Sequence, residues 1–140
     1  RRRQRQMCIR DSFVTDMTGI PVVASLIESL PSEAHVQIIT EVLSDADILE
    51  DHYQSEATLE LQWLVNPHPE DGSDLAPLAK AAWEKLTQPN FTHITAEYST
   101  VKTLRDFLRH EKEQMSKDFF ACSYWQIDKK EDEERIKRMD

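Results

Sequence analysis

Five short segments rich in β-branched and aromatic residues alternate with helix-forming segments, and this alternation constrains the fold more than any other feature of the chain. The predicted strands are residues 13–15, 35–42, 59–65, 91–97 and 119–125. Apolar positions three and four apart predict amphipathic helices at residues 22–30, 74–86 and 101–114. Strands joined through helices run parallel and cross over with one hand. We therefore expect an α/β fold, an open parallel sheet of about five strands with helices on both faces.

Two charged segments flank the predicted domain, which we place at residues 13–127. Residues 1–12 carry five of the 17 basic residues, lack hydrophobic periodicity and resemble the translated end of a sequencing adaptor. We expect them to be non-native or disordered, the alternative being a genuine basic arm for an anionic partner. Residues 128–140 are mostly charged and have few apolar anchors, and their composition predicts a helical tail.

The charge balance and the cysteines limit the classes of partner and compartment. A formal net charge of -9 argues against nucleic acid, which binds positively charged faces. The apolar runs are too short to span a bilayer, so we expect no membrane insertion. Cys8 and Cys122 lie far apart and form no C-x-x-C pair, which favours a reducing, cytoplasmic setting over a disulfide framework.

The polar turn between the first predicted strand and the first predicted helix is the first candidate site. Asp16, Thr18 and Gly19 lie in this turn, and Thr18 is the expected N-cap of the helix. The backbone N–H groups at a helix start point outward beside the positive end of the helix dipole, where an anion such as a pyrophosphate can bind. The alternative is an ordinary capped connection between a strand and a helix.

The carboxyl ends of the predicted strands form the second candidate region, because ligands of open α/β sheets lie across that edge. Glu41 ends a strand about twenty residues after the turn, where dinucleotide folds place an acid that binds the ribose 2′-hydroxyl. Glu97 ends the fourth strand. Tyr124 and Trp125 end the fifth and could stack on a flavin or nicotinamide ring. The alternatives are a surface carboxylate for Glu41 and aromatic packing at a sheet edge for the last pair.

Basic residues on the last predicted helix are a third set of candidates. Lys102, Arg105 and Arg109 lie on one helix, and their charge could reach phosphate groups. Arg105 is the best placed of the three. The alternative is that they form the solvated face of an amphipathic helix.

The sequence contains no recognisable catalytic or metal-binding motif. Its two glycines exclude a glycine-rich phosphate loop, and its five histidines lack ligand spacing, so we assign no catalytic and no metal-binding residue. A receiver-like signalling domain, another small parallel-sheet fold, would need an Asp and a Lys where Asn66 and Ser123 stand. A non-catalytic dinucleotide-fold or receiver-like interaction module is nevertheless the alternative function.

Three short motifs follow one another in a characteristic order. They are Asp-Met-Thr-Gly-Ile-Pro at residues 16–21, Thr-Ala-Glu at 95–97 with Val-Lys-Thr-Leu-Arg at 101–105, and Ser-Tyr-Trp at 123–125. Together they resemble the carboxyl-terminal half of the siderophore-interacting proteins, a branch of the ferredoxin-reductase-like flavoenzymes. The chain departs from the family pattern at Met17, which replaces a Glu, and at Ala96 and Ser123, which replace glycines.

The resemblance implies the nucleotide-binding half of a ferric-siderophore reductase that uses FAD and NADPH or NADH. Family members bind FAD in an amino-terminal barrel, for which this chain has no room, and reduce Fe(III) to Fe(II) in a bound siderophore. By motif position, Asp16, Thr18 and Gly19 would line the phosphate and ribose region. Glu97 would face the crevice, and Tyr124 with Trp125 would approach the stacked rings.

The resemblance leaves the electron donor open among NADH, NADPH and a ferredoxin. It also implies that the siderophore pocket lies mostly in the amino-terminal half. We therefore expect the chain alone to bind nicotinamide nucleotide weakly and to lack reductase activity.

Overall fold

The computed structural model describes residues 10–86, 90–127 and 137–140, apart from the side chain of Lys137. Six strands form one sheet, in the order β3-β2-β1-β4-β5-β6. They are β1 (Arg10–Thr15), β2 (His35–Val42), β3 (Thr58–Val65), β4 (Phe91–Glu97), β5 (Phe119–Trp125) and β6 (Lys137–Arg138). The first five run parallel, as expected from the alternation of strand and helix segments.

Three helices connect the parallel strands. They are α1 (Ile20–Ile27), α2 (Leu75–Glu84) and α3 (Tyr98–Asp106), which continues as a π-helical segment, Phe107–Glu111. The predicted third helix began at residue 101, but α3 begins at Tyr98 because the Glu97 side chain caps it, accepting a hydrogen bond from the Ser99 backbone N–H. In the part of the chain that the structure describes, no helix is both long and apolar enough to cross a membrane.

The two faces of the sheet bury separate apolar cores. Phe13 and Val14, neighbours on β1, belong to different cores because successive strand residues point to opposite faces. The core beneath α1 contains Phe13, Ile20, Val23, Ile27 and Ile38. The core beneath α2 and α3 contains Val14, Leu75, Ala79, Ile94, Val101 and Leu104. Helices therefore cover both faces, as predicted.

The ends of the sheet differ from the sequence-based expectation. β1 begins at Arg10, and Asp11 and Ser12 pair with both β2 and β4. Residues 10–12 thus belong to the sheet, whereas we expected residues 1–12 to be non-native or disordered. Backbone pairing on both sides places these residues in a strand, although their hydrophobic pattern does not predict one. Residues 1–9 lie outside the described residues.

The charged tail also differs at its end. Lys137 and Arg138 form a short antiparallel strand on β5 instead of continuing a helix. Without this pairing, β5 would present its backbone N–H and C=O groups at an open edge. Residues 128–136 of the predicted helical tail lie outside the described residues.

The connection from β2 to β3 contains two 3₁₀ turns, Asp45–Asp47 and Glu50–His52. Tyr53 follows them and is buried on the α1 face, where its hydroxyl lies 2.8 Å from Thr40 Oγ1. Burial raises the pKa of Tyr53 to about 12. The Ser55 hydroxyl also donates to the Ile27 carbonyl at 2.6 Å, and Ala57 is buried in the same core, so this connection packs against α1 and the sheet.

Candidate functional site

The strand order creates a crevice between the carboxyl ends of β1 and β4. The connection after β1 leads to β2, on one side of β1. The connection after β3 leads to β4, on the other side of β1, so the strand order reverses at this point. The Asp16 backbone N–H donates to the Thr95 carbonyl at 3.3 Å, which keeps the two strands joined up to the crevice. Receiver domains have the order 2-1-3-4-5. The receiver-like alternative is therefore wrong.

A direct hydrogen bond crosses this crevice. The Trp125 indole N–H donates to Asp16 Oδ2 at 2.8 Å, joining residues 109 positions apart in sequence. Asp16 is buried, and Trp125 is half-buried. Since β4 lies between β1 and β5, the indole reaches over the end of β4. Two residues that the sequence singled out for different reasons thus form one contact.

A β-bulge determines which aromatic side chain reaches the crevice. Ala96 pairs with Ser123, but Glu97 pairs with Trp125, so Tyr124 is the extra residue. In a regular strand Tyr124 would occupy the place opposite Glu97, and the bulge gives that place to Trp125. The Ser123 hydroxyl donates to the Trp125 carbonyl at 3.2 Å across the bulge. Tyr124 is half-buried, burial raises its pKa, and it does not line the cleft described below.

The turn after β1 is closed by its own carboxylate. Asp16 Oδ1 accepts hydrogen bonds from the Thr18 backbone N–H at 3.0 Å and from the Thr18 hydroxyl, and the Asp16 carbonyl accepts from the Gly19 N–H at 3.1 Å. Asp16 caps a 3₁₀ turn, and Gly19 is the N-cap of α1, so the prediction that Thr18 caps the helix is wrong. These N–H groups are already satisfied, and a carboxylate stands where we expected a pyrophosphate.

Gly19 serves packing in this turn. It is buried, and a Cβ atom there would overlap Thr15 Oγ1 and Thr95 Oγ1. These two threonine hydroxyls are themselves hydrogen bonded at 3.1 Å. Gly19 thus allows the start of α1 to lie directly on β1 and β4, and it does not line the cleft.

Both carboxylate oxygens of Glu97 accept hydrogen bonds from backbone N–H groups of the chain. Glu97 is buried, its Oε1 accepts from the Ser99 N–H at 2.8 Å and its Oε2 accepts from the Ile127 N–H at 3.0 Å. One carboxylate therefore caps α3 and holds the chain that leaves β5. We expected Glu97 to face the crevice, and in the structure it fixes the two segments that border the crevice.

Four of the eight predicted site residues line one cleft of about 180 Å³ at this edge. They are Asp16, Thr18, Glu41 and Trp125. The other lining residues are mainly apolar and comprise Met17, Val42, Leu43, Asn66 and Pro69. Met17 and Leu43 are 36% and 46% exposed and lie together at this cleft. The cleft thus has an apolar rim and two carboxylates.

Glu41 is held by two residues that the sequence analysis did not assign to the site. Glu41 Oε2 accepts hydrogen bonds from Asn66 Nδ2 at 3.1 Å and from the Ser73 hydroxyl. Asn66 follows β3 directly, and Ser73 also accepts from the Leu75 N–H at the start of α2. Position at the end of a strand was the available signal for Asn66. Ser73 comes near Glu41 only through the folding of the loop.

Burial raises the pKa of Glu41, and the nearby negative charges of Asp16 and Asp74 raise it further. The hydrogen bonds from Ser73 and Asn66 oppose this effect. The folded protein therefore binds this proton more tightly than the unfolded chain does, and ionisation of Glu41 costs stability.

Glu41→Gln is expected to raise the free energy of unfolding at neutral pH. The stability contributed by the Glu41 proton is present below the ordinary pKa of 4.5 and is lost as the pH rises through the folded-state pKa. The gain should therefore vanish towards about pH 4, as urea denaturation at several pH values would reveal. The matched control is Glu33→Gln, an exposed acid before β2. A Glu41→Gln variant less stable than the parent at pH 7 would contradict this account.

Arg105 is not brought to the cleft. It lies on α3 roughly 12 Å along the helix axis from Glu97, given a rise of about 1.5 Å per residue. It contacts Asp106 at 3.2 Å, and Lys102 contacts the same carboxylate at 3.1 Å. These two neighbours lower the pKa of Asp106. Of the residues that the structure describes, no Lys or Arg lines the cleft.

Several solved structures share this fold. A siderophore utilization protein from T. fusca aligns with a TM-score of 0.69 at 25% identity, covering 86% of this chain and 46% of that chain. The siderophore-interacting protein SipS from Aeromonas hydrophila aligns with a TM-score of 0.73 at 22% identity, covering 88% of this chain and 48% of that chain. The second similarity concerns the fold alone.

Sequence comparison agrees with the structural one. Ferric vibriobactin reductase ViuB of Vibrio cholerae is 27% identical over 135 residues, which is 89% of this chain and 47% of the relative. The chain thus spans about half the length of the curated relatives it matches. The family model described as siderophore-interacting protein matches residues 11–128. This chain therefore belongs to the siderophore-interacting protein family.

Proposed function

We propose that this chain is the nicotinamide-nucleotide-binding half of a flavin-dependent ferric-siderophore reductase. The observation that carries the proposal is the crevice between β1 and β4, where Asp16 and Trp125 meet in a cleft at the point where the strand order reverses. Ligands of open α/β sheets bind at such points. The reaction class follows from family membership and from the name of the Vibrio cholerae relative, a reductase of a ferric siderophore.

The cleft suits the ring and ribose parts of a dinucleotide better than its pyrophosphate. Trp125 offers a flat aromatic surface, and Met17 with Leu43 offers apolar contacts, which suit a base or a nicotinamide ring. Asp16 and Glu41 offer acceptors for ribose hydroxyls. A pyrophosphate fits less well, because the N–H groups of Thr18 and Gly19 are engaged and none of the basic side chains that the structure describes lines the cleft. We therefore expect weak binding by this chain alone.

In the proposed enzyme, the residues of this chain bind and orient, and none acts as a general acid or base. Asp16, Glu41 and Trp125 would hold NAD(P)H, which would supply a hydride to FAD; the reduced flavin would supply single electrons to Fe(III), and the resulting Fe(II) would be held weakly by the siderophore's hard oxygen ligands. Trp125 shields one side of the crevice from water. A cytoplasmic location is part of the proposal, and the free, buried thiol of Cys122 is compatible with it.

Titration of the 140-residue chain with NADH tests the proposal. We expect a dissociation constant between about 0.1 and 5 mM, observed as a shift of the Trp125 indole N–H signal in NMR spectra. The indole N–H of Trp83 is an internal control, since it donates to Thr92 Oγ1 at 3.1 Å in the core beneath α2 and α3. An unmoved Trp125 signal, or an equal shift of Trp83, would contradict binding in the crevice.

The same preparation tests what the chain does without the rest of the enzyme. Added FAD, NADH and a ferric siderophore should give no Fe(II) above the rate without protein, because the chain spans about half of its relatives. Rapid reduction by this polypeptide alone would refute the division of roles. A folded chain that binds no nucleotide would instead support the non-catalytic dinucleotide-fold alternative.

A further inference from the structure

We infer that this crevice selects NADH over NADPH and that Glu41 is the specificity-determining residue. The inference rests on the proposed function, because it concerns the adenosine end of the same nucleotide. NADPH differs from NADH by a phosphate on the adenosine ribose 2′-oxygen. The selection therefore depends on what surrounds that oxygen.

The carboxylate of Glu41 is fixed in one orientation. Glu41 is 5% exposed, and its Oε2 accepts hydrogen bonds from Asn66, which also lines the cleft, and from Ser73. Within residues 10–86, 90–127 and 137–140, the hydrogen bonds to Glu41 involve Oε2, so Oε1 is available to a ligand in the cleft. A fixed carboxylate oxygen can accept a hydrogen bond from a 2′-hydroxyl, but a 2′-phosphate is mainly a dianion at neutral pH and repels the carboxylate.

The charges around the cleft also favour NADH over NADPH. Asp16 lies close enough to raise the pKa of Glu41 by its charge, and both carboxylates line the cleft. Among residues 10–86, 90–127 and 137–140, no Lys or Arg lines the cleft, and Arg105 is engaged with Asp106 on α3. A site that accepts a 2′-phosphate normally supplies an arginine for it. A 2′-phosphate here would meet two carboxylates, and the described part of the chain supplies no cation to the cleft.

Parallel titrations of the chain with NADH and NADPH, read from the Trp125 indole signal, test this inference. We expect the dissociation constant for NADPH to exceed that for NADH by about tenfold or more at low salt. Added sodium chloride should reduce the ratio, because mobile ions screen the repulsion. NADH affinity should change less with salt than NADPH affinity does.

The Glu41→Gln variant assigns the selection to one residue. Glutamine keeps an acceptor for Asn66 and Ser73 but removes the charge, so the ratio of the two dissociation constants should fall to within about threefold. Glu33→Gln also removes one negative charge, but Glu33 lies before β2, at the amino-terminal end of that strand. This variant should therefore keep the parent ratio. Because Glu41→Gln is expected to be more stable than the parent, loss of folding would not account for the result.

The outcomes separate the two proposals. If both nucleotides shift the Trp125 signal with equal dissociation constants, or if Glu41→Gln leaves the ratio unchanged, the selection is overturned and the nucleotide-binding function stands. If neither nucleotide shifts the signal, the proposed function fails and the selection fails with it.

Discussion

Replacing Gly19 by alanine is expected to lower the free energy of unfolding by about 2–3 kcal/mol. The added methyl group would overlap Thr15 Oγ1 and Thr95 Oγ1, both on buried strand residues. Neither strand can move away freely, because β1 and β4 are paired with each other and with a further neighbour each. Urea denaturation followed by circular dichroism would measure the loss.

Two comparisons show whether packing causes that loss. Ser25→Ala, at an exposed position of α1, should change stability by less than about 0.5 kcal/mol. In a Thr15→Ala/Thr95→Ala background the overlapping oxygens are gone, so the cost of Gly19→Ala should shrink. An equal cost in both backgrounds would mean that the close approach of the turn to the strands is not the reason for glycine.

Replacing Ile27 by alanine is expected to lower the free energy of unfolding by about 2–5 kcal/mol. Ile27 is 0% exposed and packs in the core between α1 and the sheet. Truncation there removes apolar burial and leaves a cavity that the paired strands cannot collapse to fill. The measurement is again the free energy of unfolding from urea denaturation.

The neighbouring residue on the same helix supplies the control. Leu26 is 41% exposed, so Leu26→Ala should cost less than about 1 kcal/mol. Similar losses for the two variants would show that α1 does not cover this face of the sheet in the way described. The crevice would then also be in question, because α1 begins at the turn that carries Asp16.

Three of the strands could be located from sequence because most of their residues are buried. β2, β4 and β5 have the predicted limits, residues 35–42, 91–97 and 119–125. Each is a run of β-branched, aromatic or small residues bounded by polar segments. The starts of the helices were harder to predict from the sequence. Asp16 caps the 3₁₀ turn before α1, and Glu97 caps α3. Both caps come from the ends of strands, so they depend on how the chain turns in three dimensions.

The candidate site could be predicted from the sequence only in part, for the same reason. Asp16, Glu41 and Trp125 share a cleft because the carboxyl ends of parallel strands meet at one edge. Arg105 remains apart because its position along α3 carries it away from that edge, towards Asp106. The contact of Trp125 with Asp16 depends on the bulge at Tyr124, which no spacing of residues along the chain reveals.

The sequence by itself determined the parallel sheet, because hydrophobic periodicity is a local property that each segment carries alone. Tertiary structure decided the strand order, the use of Asn66 and Ser73 to hold Glu41, and the addition of residues 10–12 and Lys137–Arg138 to the sheet. These features depend on backbone and side-chain hydrogen bonds between segments far apart in the chain. Such bonds acquire their partners only when the sheet is assembled.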